Sequence, residues 1–305
     1  MSASLSTEKI DPTSWYDSRV SDYISLLKPR VMSLVVFSGF AGLYLAPGTI
    51  HPFIAFIAIL CIALGSGASG AINMWYERRT DSLMKRTRTR PIPTGKISPE
   101  NAIEFAVILA FASVFIMGIA VNYMAAFLLL LAIVYYVFVY TIWLKPRTPQ
   151  NIVIGGAAGA FPPVIGWAAV TGNVTIEPII LFAIIFMWTP PHFWALSLYR
   201  CEDYKKAGIP MLPVVAGVEE TKKQILFYTM LLVPLTFVPV GFDICGIIYA
   251  ISAAILGIIF IYHAIKVYLD NKKNTASKTS INMFKYSVIY LFLLFTMMMV
   301  DHAAR

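Results

Sequence analysis

The chain has 305 residues, 58% of them hydrophobic and only 13% charged, about half the charged share of a soluble domain. That composition excludes a water-soluble globular enzyme, and the net charge of +8 reads as basic loops that set topology rather than as a nucleic-acid surface. Cys61, Cys201 and Cys245 are too far apart for a disulfide framework or a thiolate metal site.

Residues 1–28 are polar and carry Glu8, Asp11, Asp17 and Asp22. They lack the apolar core of a signal peptide and hold more acid than a mitochondrial presequence tolerates. They are expected to form a cytoplasmic segment ahead of a single transmembrane domain over 29–305. Low-charge runs then predict about nine transmembrane helices, over 31–47, 52–72, 102–120, 123–143, 151–171, 178–198, 225–243, 246–266 and 284–301. Most of these runs approach the twenty or so residues that cross a bilayer core. The linkers alternate in character. Those at 47–52, 121–122, 172–177 and 243–246 contain no Lys or Arg, whereas every basic residue except Arg305 falls in 1–30, 73–100, 144–150, 199–224 or 266–285. Positive residues stay in the cytoplasm, so the N-terminus is expected inside and the C-terminus in the periplasm, across a bacterial inner membrane.

The second span runs directly into the first polar cluster, from Asn73 through Glu77, Asp81, Arg86 and Arg90 to Pro91. If the helix continues, Asn73, Glu77 and Asp81 are four apart and drift only about 80° around the axis, so they share a face. Two carboxylates and an amide oxygen form a hard-oxygen array suited to Mg²⁺, which completes its shell with waters and substrate phosphates. Arg86 and Arg90 are placed to hold phosphate oxygens. The plainer reading is a topogenic loop whose acids balance its arginines.

Within the spans, Gly65 and Ser69, Gly67 and Ala71, and Gly155 and Gly159 are four apart, a spacing that lets helix backbones approach closely; packing is the role expected of them. Pro162–Pro163 and Pro190–Pro191 are expected to break or kink the fifth and sixth spans, and the freed carbonyls to be buried or to line a cavity. His192 lies inside the sixth span, about 9 Å from its end at roughly 1.5 Å per residue. An ionisable side chain there is either functional or a neutral ring bonded to kinked backbone. Trp188, Phe193 and Trp194 flank it. The sixth span exits into a second polar cluster, Tyr199, Arg200, Glu202, Asp203, Tyr204, Lys205 and Lys206, on the same side as the first.

The stretch Asn73-xxx-Glu77-xxx-Asp81, followed by Met84-Lys85-Arg86-Thr87-xx-Arg90-Pro91, resembles the first signature of the intramembrane polyprenyl transferases. Lys28-Pro29-Arg30 and Thr148-Pro149-Gln150-Asn151 support it. Trp188-Thr-Pro-Pro-His192-Phe-Trp-Ala-Leu and Asp203-Tyr204-xx-Ala207-Gly208-Ile-Pro-Met-Leu-Pro213 resemble more narrowly the branch of that superfamily that farnesylates heme. The chain departs from the pattern at Glu77, where an Asp is usual, and at Arg79-Thr80, which replace a more acidic pair.

The resemblance implies an all-α membrane bundle of nine helices around a lateral, lipid-accessible cavity, capped by the cytoplasmic loops 73–100 and 199–224. It assigns Asn73, Glu77, Asp81 and Asp203 to catalysis and to Mg²⁺, and Lys28, Arg86 and Arg90 to the diphosphate. Arg200, Lys206, Tyr199, Tyr204 and His192 are assigned to substrate. It implies farnesyl diphosphate and heme B (protoheme IX) as substrates, with water added to give heme O, and no nucleic acid. Expected partners, besides the lipid bilayer, are a heme A-forming enzyme or oxidase assembly proteins. Two other readings stay open: a prenyltransferase for an aromatic or quinone-precursor acceptor, and a polytopic transporter. A transporter is disfavoured because charges near the bilayer midplane are its usual mark.

Overall fold

The computed structural model describes residues 18–270 and 277–305; Glu8, Asp11 and Asp17, and Lys272 and Lys273, lie outside them. Fifteen helices and no strands form among the described residues. The chain runs through α1 (Val20–Leu26), α2 (Pro29–Leu45), α3 (Pro52–Tyr76), α4 (Arg78–Leu83), α5 (Pro99–Ala120) and α6 (Tyr123–Leu144). It continues through α7 (Asn151–Gly155), α8 (Ala157–Thr171), α9 (Ile176–Tyr199), α10 (Cys201–Lys206) and α11 (Leu212–Val215). The last four are α12 (Gly217–Leu235), α13 (Val238–Gly241), α14 (Ile247–Tyr268) and α15 (Lys278–Ala304). Among the described residues eight segments are long and apolar enough to cross a membrane alone, and α1 with α2, bent by 58°, bring the count to nine if they act as one span. The described residues thus hold eight or nine spans, in keeping with the nine or so read from the sequence, with α2 standing where the first was expected. The protein is a multi-pass membrane protein.

Successive spans pack on one another in chain order, and α15 closes the ring on α2. The apolar residues that face outward, such as Ile108, Phe111 and Ile258, are suited to lipid, which needs no polar cover. Caps set several helix starts. Pro29, Pro52 and Pro99 occupy the first helical position, where a missing N–H costs nothing, and Ser98 and Asn122 accept from Asn101 and Ala125. Asp301 of α15 caps a different helix, accepting from the amides of Gly246 and Tyr249 at 2.5 and 3.0 Å, and so fastens the start of α14 to the end of α15.

Two expectations about the spans need correction. Of the break or kink expected at the proline pairs, the break does not occur: α9 is continuous through Pro190–Pro191, and the interruption in the fifth span falls at Gly156, ahead of Pro162–Pro163. All four prolines are buried among neighbouring helices, and those neighbours hold the backbone where two hydrogen bonds are lost. Gly159, expected to pack, has nothing within 4 Å of where a Cβ would stand, whereas Gly155 lies directly under the Tyr140 ring.

The closest backbone approach is elsewhere, between α2 and α8. A Cβ on Gly166 would stand 2.0 Å from the carbonyl oxygen of Gly39, and one on Gly42 would stand 2.1 Å from that of Pro163. Small residues let helices meet at this range, where dispersion contacts replace the absent hydrophobic drive. Gly166→Ala is therefore expected to force α2 and α8 apart and to cost about 1–3 kcal/mol, read as a lower unfolding temperature in detergent. Gly159→Ala, which meets open space, should leave that temperature unchanged.

Candidate active site

The second span outlasts its apolar stretch. α3 ends at Tyr76, breaks for one residue at Glu77 and resumes as α4. The Glu77 N–H still donates to the Asn73 carbonyl at 2.9 Å, and the Asp81 N–H to the Glu77 carbonyl at 2.8 Å. The helical spacing therefore survives the break, and Asn73, Glu77 and Asp81, all buried, follow one another along one face.

Each of the three is met by a donor from a distant part of the chain or from the following loop. Lys28 Nζ donates to Asn73 Oδ1 at 2.7 Å, and the Asn73 amide donates to Thr141 Oγ1 at 3.2 Å. Lys145 Nζ lies 2.5 Å from Glu77 Oε1 and 2.7 Å from Oε2. Arg90 Nη1 donates to Asp81 Oδ2 at 2.6 Å. Lys28 reaches its place through a left-handed backbone, φ 53° and ψ 55°, at the elbow between α1 and α2. That conformation is costly for a residue other than glycine and persists where surroundings enforce it. Its side chain then runs past Gly70, where a Cβ would come within 3.5 Å of Lys28 Cδ.

Thr141 and Lys145 are four apart, like Asn73 and Glu77, so two rungs tie α6 to α3. The last ten residues of α6, Tyr135–Leu144, are wound as a π-helix, and the Lys145 N–H donates to the Tyr140 carbonyl five residues back at 2.9 Å. Such winding is rare and recurs at functional sites. It leaves Tyr136 and Tyr140 with rings 5.3 Å apart and the Lys145 ammonium 5.8 Å above the Tyr140 ring.

Lys28, Arg90 and Lys145 thus gather around two carboxylates, and Arg90 and Lys145 each take one of them, leaving Lys28 without a carboxylate partner. Lys28 has an amide for its hydrogen-bond partner. Burial, and then the charge of Arg90, push its ammonium down to about 7. Burial also works against a charged Glu77, but Lys145 outweighs it and holds that carboxyl below the usual range. Burial opposes a charged Lys145 as well, yet Glu77 outweighs it in turn and holds the ammonium above its usual range. Asp81 Oδ1 is enclosed and has no hydrogen-bond partner. A sealed acceptor without a partner is rare enough to need a cause.

The second cluster begins at the end of α9, and its Tyr204, on α10, is buried. Arg200 lies over the Tyr199 ring at 5.1 Å, with Nη1 3.5 Å from Asp203 Oδ2. Lys206 is exposed. So is Arg86, because residues 84–97 form turns rather than helix and the four-residue spacing to Arg90 no longer sets a shared face. Thr87 Oγ1 anchors those turns on the Asp81 carbonyl at 2.8 Å. His192 belongs to another group of side chains, on α9 and α15.

Among the described residues, no group of three His, Cys, Asp or Glu side chains is arranged to hold a metal. Glu77 and Asp81 each have a cation on them, and Asp203 faces Arg200. The donor chemistry nevertheless fits one hard cation: an unpartnered carboxylate oxygen on Asp81, with the Glu77 carboxylate and Asn73 amide successive turns away. The sequence reading missed Lys145, Thr141, Tyr136 and Tyr140. Lys145 counted only as a topogenic charge; the available signal was Thr141 and Lys145 repeating the four-residue step of Asn73 and Glu77.

The sequence profile of the UbiA prenyltransferase family matches residues 35–289. A protoheme IX farnesyltransferase of Ehrlichia ruminantium (strain Welgevonden) is 56% identical over 282 residues, covering 92% of this chain and 94% of the relative. One from Acidiphilium cryptum is 54% identical over 286 residues, covering 92% and 90%. One from Rickettsia bellii is 52% identical over 289 residues, covering 95% of each. Among solved structures, a digeranylgeranylglyceryl phosphate synthase superposes with a TM-score of 0.76 at 22% identity, over 94% of this chain and 99% of that one. A UbiA homolog from Archaeoglobus fulgidus bound to GPP and Mg²⁺ superposes with a TM-score of 0.63 at 19% identity, over 91% and 99%.

Proposed function

Because the chain belongs to the UbiA prenyltransferase family and is a membrane prenyltransferase, we propose that it farnesylates heme B to heme O. The donor is farnesyl diphosphate, and the diphosphate binds where Lys28, Arg90 and Lys145 surround Asn73, Glu77 and Asp81. The observation that carries the site is the convergence of three basic side chains on two carboxylates, with Lys28 on a neutral amide and held down to about 7 until an anion draws its full charge. An anion is what that arrangement lacks. The identity of the acceptor rests on relatives more than half identical along nearly the whole chain, each named for protoheme IX farnesylation.

In this reading the basic end of the bundle faces the cytoplasm of a bacterial cell, in keeping with the bacterial relatives and with the retention of Lys and Arg on that side. Asp81, Glu77 and Asn73 would hold a divalent cation such as Mg²⁺, whose charge would offset that of the diphosphate. Lys28 and Arg90 hold phosphate oxygens and stabilise the negative charge that develops as the bond between oxygen and the farnesyl C1 breaks. The oxygen keeps the electron pair, and the farnesyl group becomes an allylic cation. The Tyr136 ring, beside Tyr140 and near the Lys145–Glu77 pair, offers that cation a favourable surface. The terminal carbon of a heme vinyl group forms the new C–C bond. The positive charge then lies beside the porphyrin, which delocalises it, and a water adds its oxygen there and loses a proton. Asp203, Arg200, Tyr199, Tyr204 and Lys206 close the mouth from the second loop.

The test supplies membranes containing the protein with heme B, farnesyl diphosphate and Mg²⁺ and follows heme by mass. A heme heavier by one farnesyl group and one water, with diphosphate released in equal amount, is expected. Unchanged heme, with farnesylation of an aromatic acid in the same membranes, would overturn the choice of acceptor and keep the prenyl transfer.

A further inference from the structure

α14 carries a stripe of outward-facing residues that changes character at one end. Ile251, Ile255, Ile258, Tyr262 and Lys266 follow one another at steps of three or four, and all are exposed, so they lie along one side of the helix. The stripe is apolar up to Lys266, which stands two residues before the helix ends at Tyr268. α15 packs alongside α14 and repeats the pattern in reverse, with exposed Lys285 followed by exposed Ile289 and Phe292. Two apolar tracks thus each finish in a lysine at the basic end of the bundle.

A group of rings joins the two helices there. His263 of α14 is stacked on Tyr286 of α15 at 4.9 Å and 26°, and meets Tyr262 edge-on at 5.7 Å and 69°. The Tyr286 hydroxyl donates to the Leu256 carbonyl at 2.8 Å, which fixes the ring that His263 rests on. The Lys266 ammonium lies 4.4 Å from the centre of the Tyr262 ring. Tyr262 is one turn earlier, so the ammonium folds back toward the start of the helix and the interior of the bilayer. A lysine that served only to mark its side of the membrane would reach the other way, toward water.

No carboxylate answers this charge. Lys266 and Lys285 form no ion pair with any described residue. The one acid within α14 and α15 is Asp301, which caps the far end of α14. The His263 nitrogens have no hydrogen-bond partner among the described residues and are not sealed inside the protein. Two unpaired ammonium groups and an open imidazole, at the end of two apolar tracks, match a ligand with an anionic head and long apolar chains.

We propose that this end of α14 and α15 binds an anionic phospholipid. Its phosphate lies between Lys266 and Lys285 and accepts from the His263 N–H, and its acyl chains follow the two apolar tracks. Basic pockets between membrane helices suit such headgroups, and each lysine at the membrane surface contributes about fivefold in affinity for one. The lipid braces α14 against α15, the helix that closes the ring on α2.

The experiment presents the purified full chain in detergent with phosphatidylglycerol or phosphatidylcholine of the same acyl chains, and reads the bound lipid by native mass spectrometry. Wild type is expected to retain phosphatidylglycerol about tenfold or more over phosphatidylcholine, and Lys266→Ala with Lys285→Ala to bring the two within about twofold. Lys223→Ala with Lys278→Ala, which removes the same charge from exposed positions at the same end, should keep the preference. His263→Phe, which keeps a ring on Tyr286, should lose part of it. Unfolding temperatures taken without lipid check that the variants are folded; phosphatidylglycerol should then raise the wild-type value and leave that of Lys266→Ala with Lys285→Ala unchanged. Equal loss of preference in the two double variants would overturn the site and leave a general attraction of the basic end for anions. Displacement of the lipid by inorganic phosphate at matching concentration would assign the three side chains to a free phosphate and overturn the lipid. No preference in wild type would overturn the proposal outright.

Discussion

Asp81→Asn is expected to lower kcat/KM for the prenyl diphosphate by about 10²–10³-fold, the range seen when one preorganised charge-stabilising group is removed. Asp81 has no exposed surface, with Oδ2 bound by Arg90 at 2.6 Å and Oδ1 enclosed without a partner. An enclosed anionic oxygen with nothing on it is disfavoured unless a ligand arrives to use it. Asparagine keeps the shape and one acceptor but removes the charge a divalent cation needs. The cost to folding should be small by comparison, about 1–2 kcal/mol, because Arg90 remains partly exposed to solvent. Measuring turnover and thermal unfolding on one preparation separates the two effects. Activity within threefold of wild type at saturating Mg²⁺ would remove Asp81 from the diphosphate site.

Lys145→Met should have the largest effect on stability. It strips the partner from Glu77, whose carboxylate is buried, and leaving one member of a buried pair alone costs about 3–5 kcal/mol. The double variant Glu77→Gln, Lys145→Met removes both charges and should recover most of that loss while remaining inactive. The pH dependence follows from the two shifts. Glu77 is held below its unfolded value of about 4.3, so its contribution is present above that value and is lost as pH falls through the depressed folded value. Lys145 is held above its unfolded value of about 10.4, so its contribution is complete below that value and is lost as pH rises through the folded one. The stability difference between wild type and Lys145→Met should therefore be flat across neutral pH and shrink in acid. A difference under 1 kcal/mol at pH 7 would show that the pair is not the anchor of α6 on α3.

These two residues illustrate what the sequence could disclose. Asp81 was legible because its chemistry is local: three oxygen-bearing residues four apart at the end of an apolar run need only the helical period to be placed together. Lys145 was hidden because its partner is 68 residues away, and a lysine at the end of a span has topology as a sufficient explanation. The π-helix that presents it leaves no trace in hydropathy, since Tyr135–Leu144 is apolar whether wound as α or π. The nine spans were legible because bilayer thickness fixes their length. Whether a proline pair ends a helix was not legible, because that depends on buried neighbours, which hold α9 through Pro190–Pro191. What the helical period could not give is the path after Leu83: Arg86 is exposed in a run of turns, and Thr87 and Arg90 fold that run back onto Asp81. Membership of a prenyltransferase family closes the transporter reading.

The most direct test of the central claim, that the three basic side chains and the Asn73, Glu77, Asp81 face bind a prenyl diphosphate with a divalent ion, is calorimetric. Purified protein is titrated with a non-hydrolysable farnesyl thiodiphosphate, with Mg²⁺ and with chelator. Wild type should bind at least tenfold more tightly with Mg²⁺, and Asp81→Asn should bind weakly and equally in both conditions. Equal affinity with and without Mg²⁺ in wild type, unchanged by Asp81→Asn, would contradict the account.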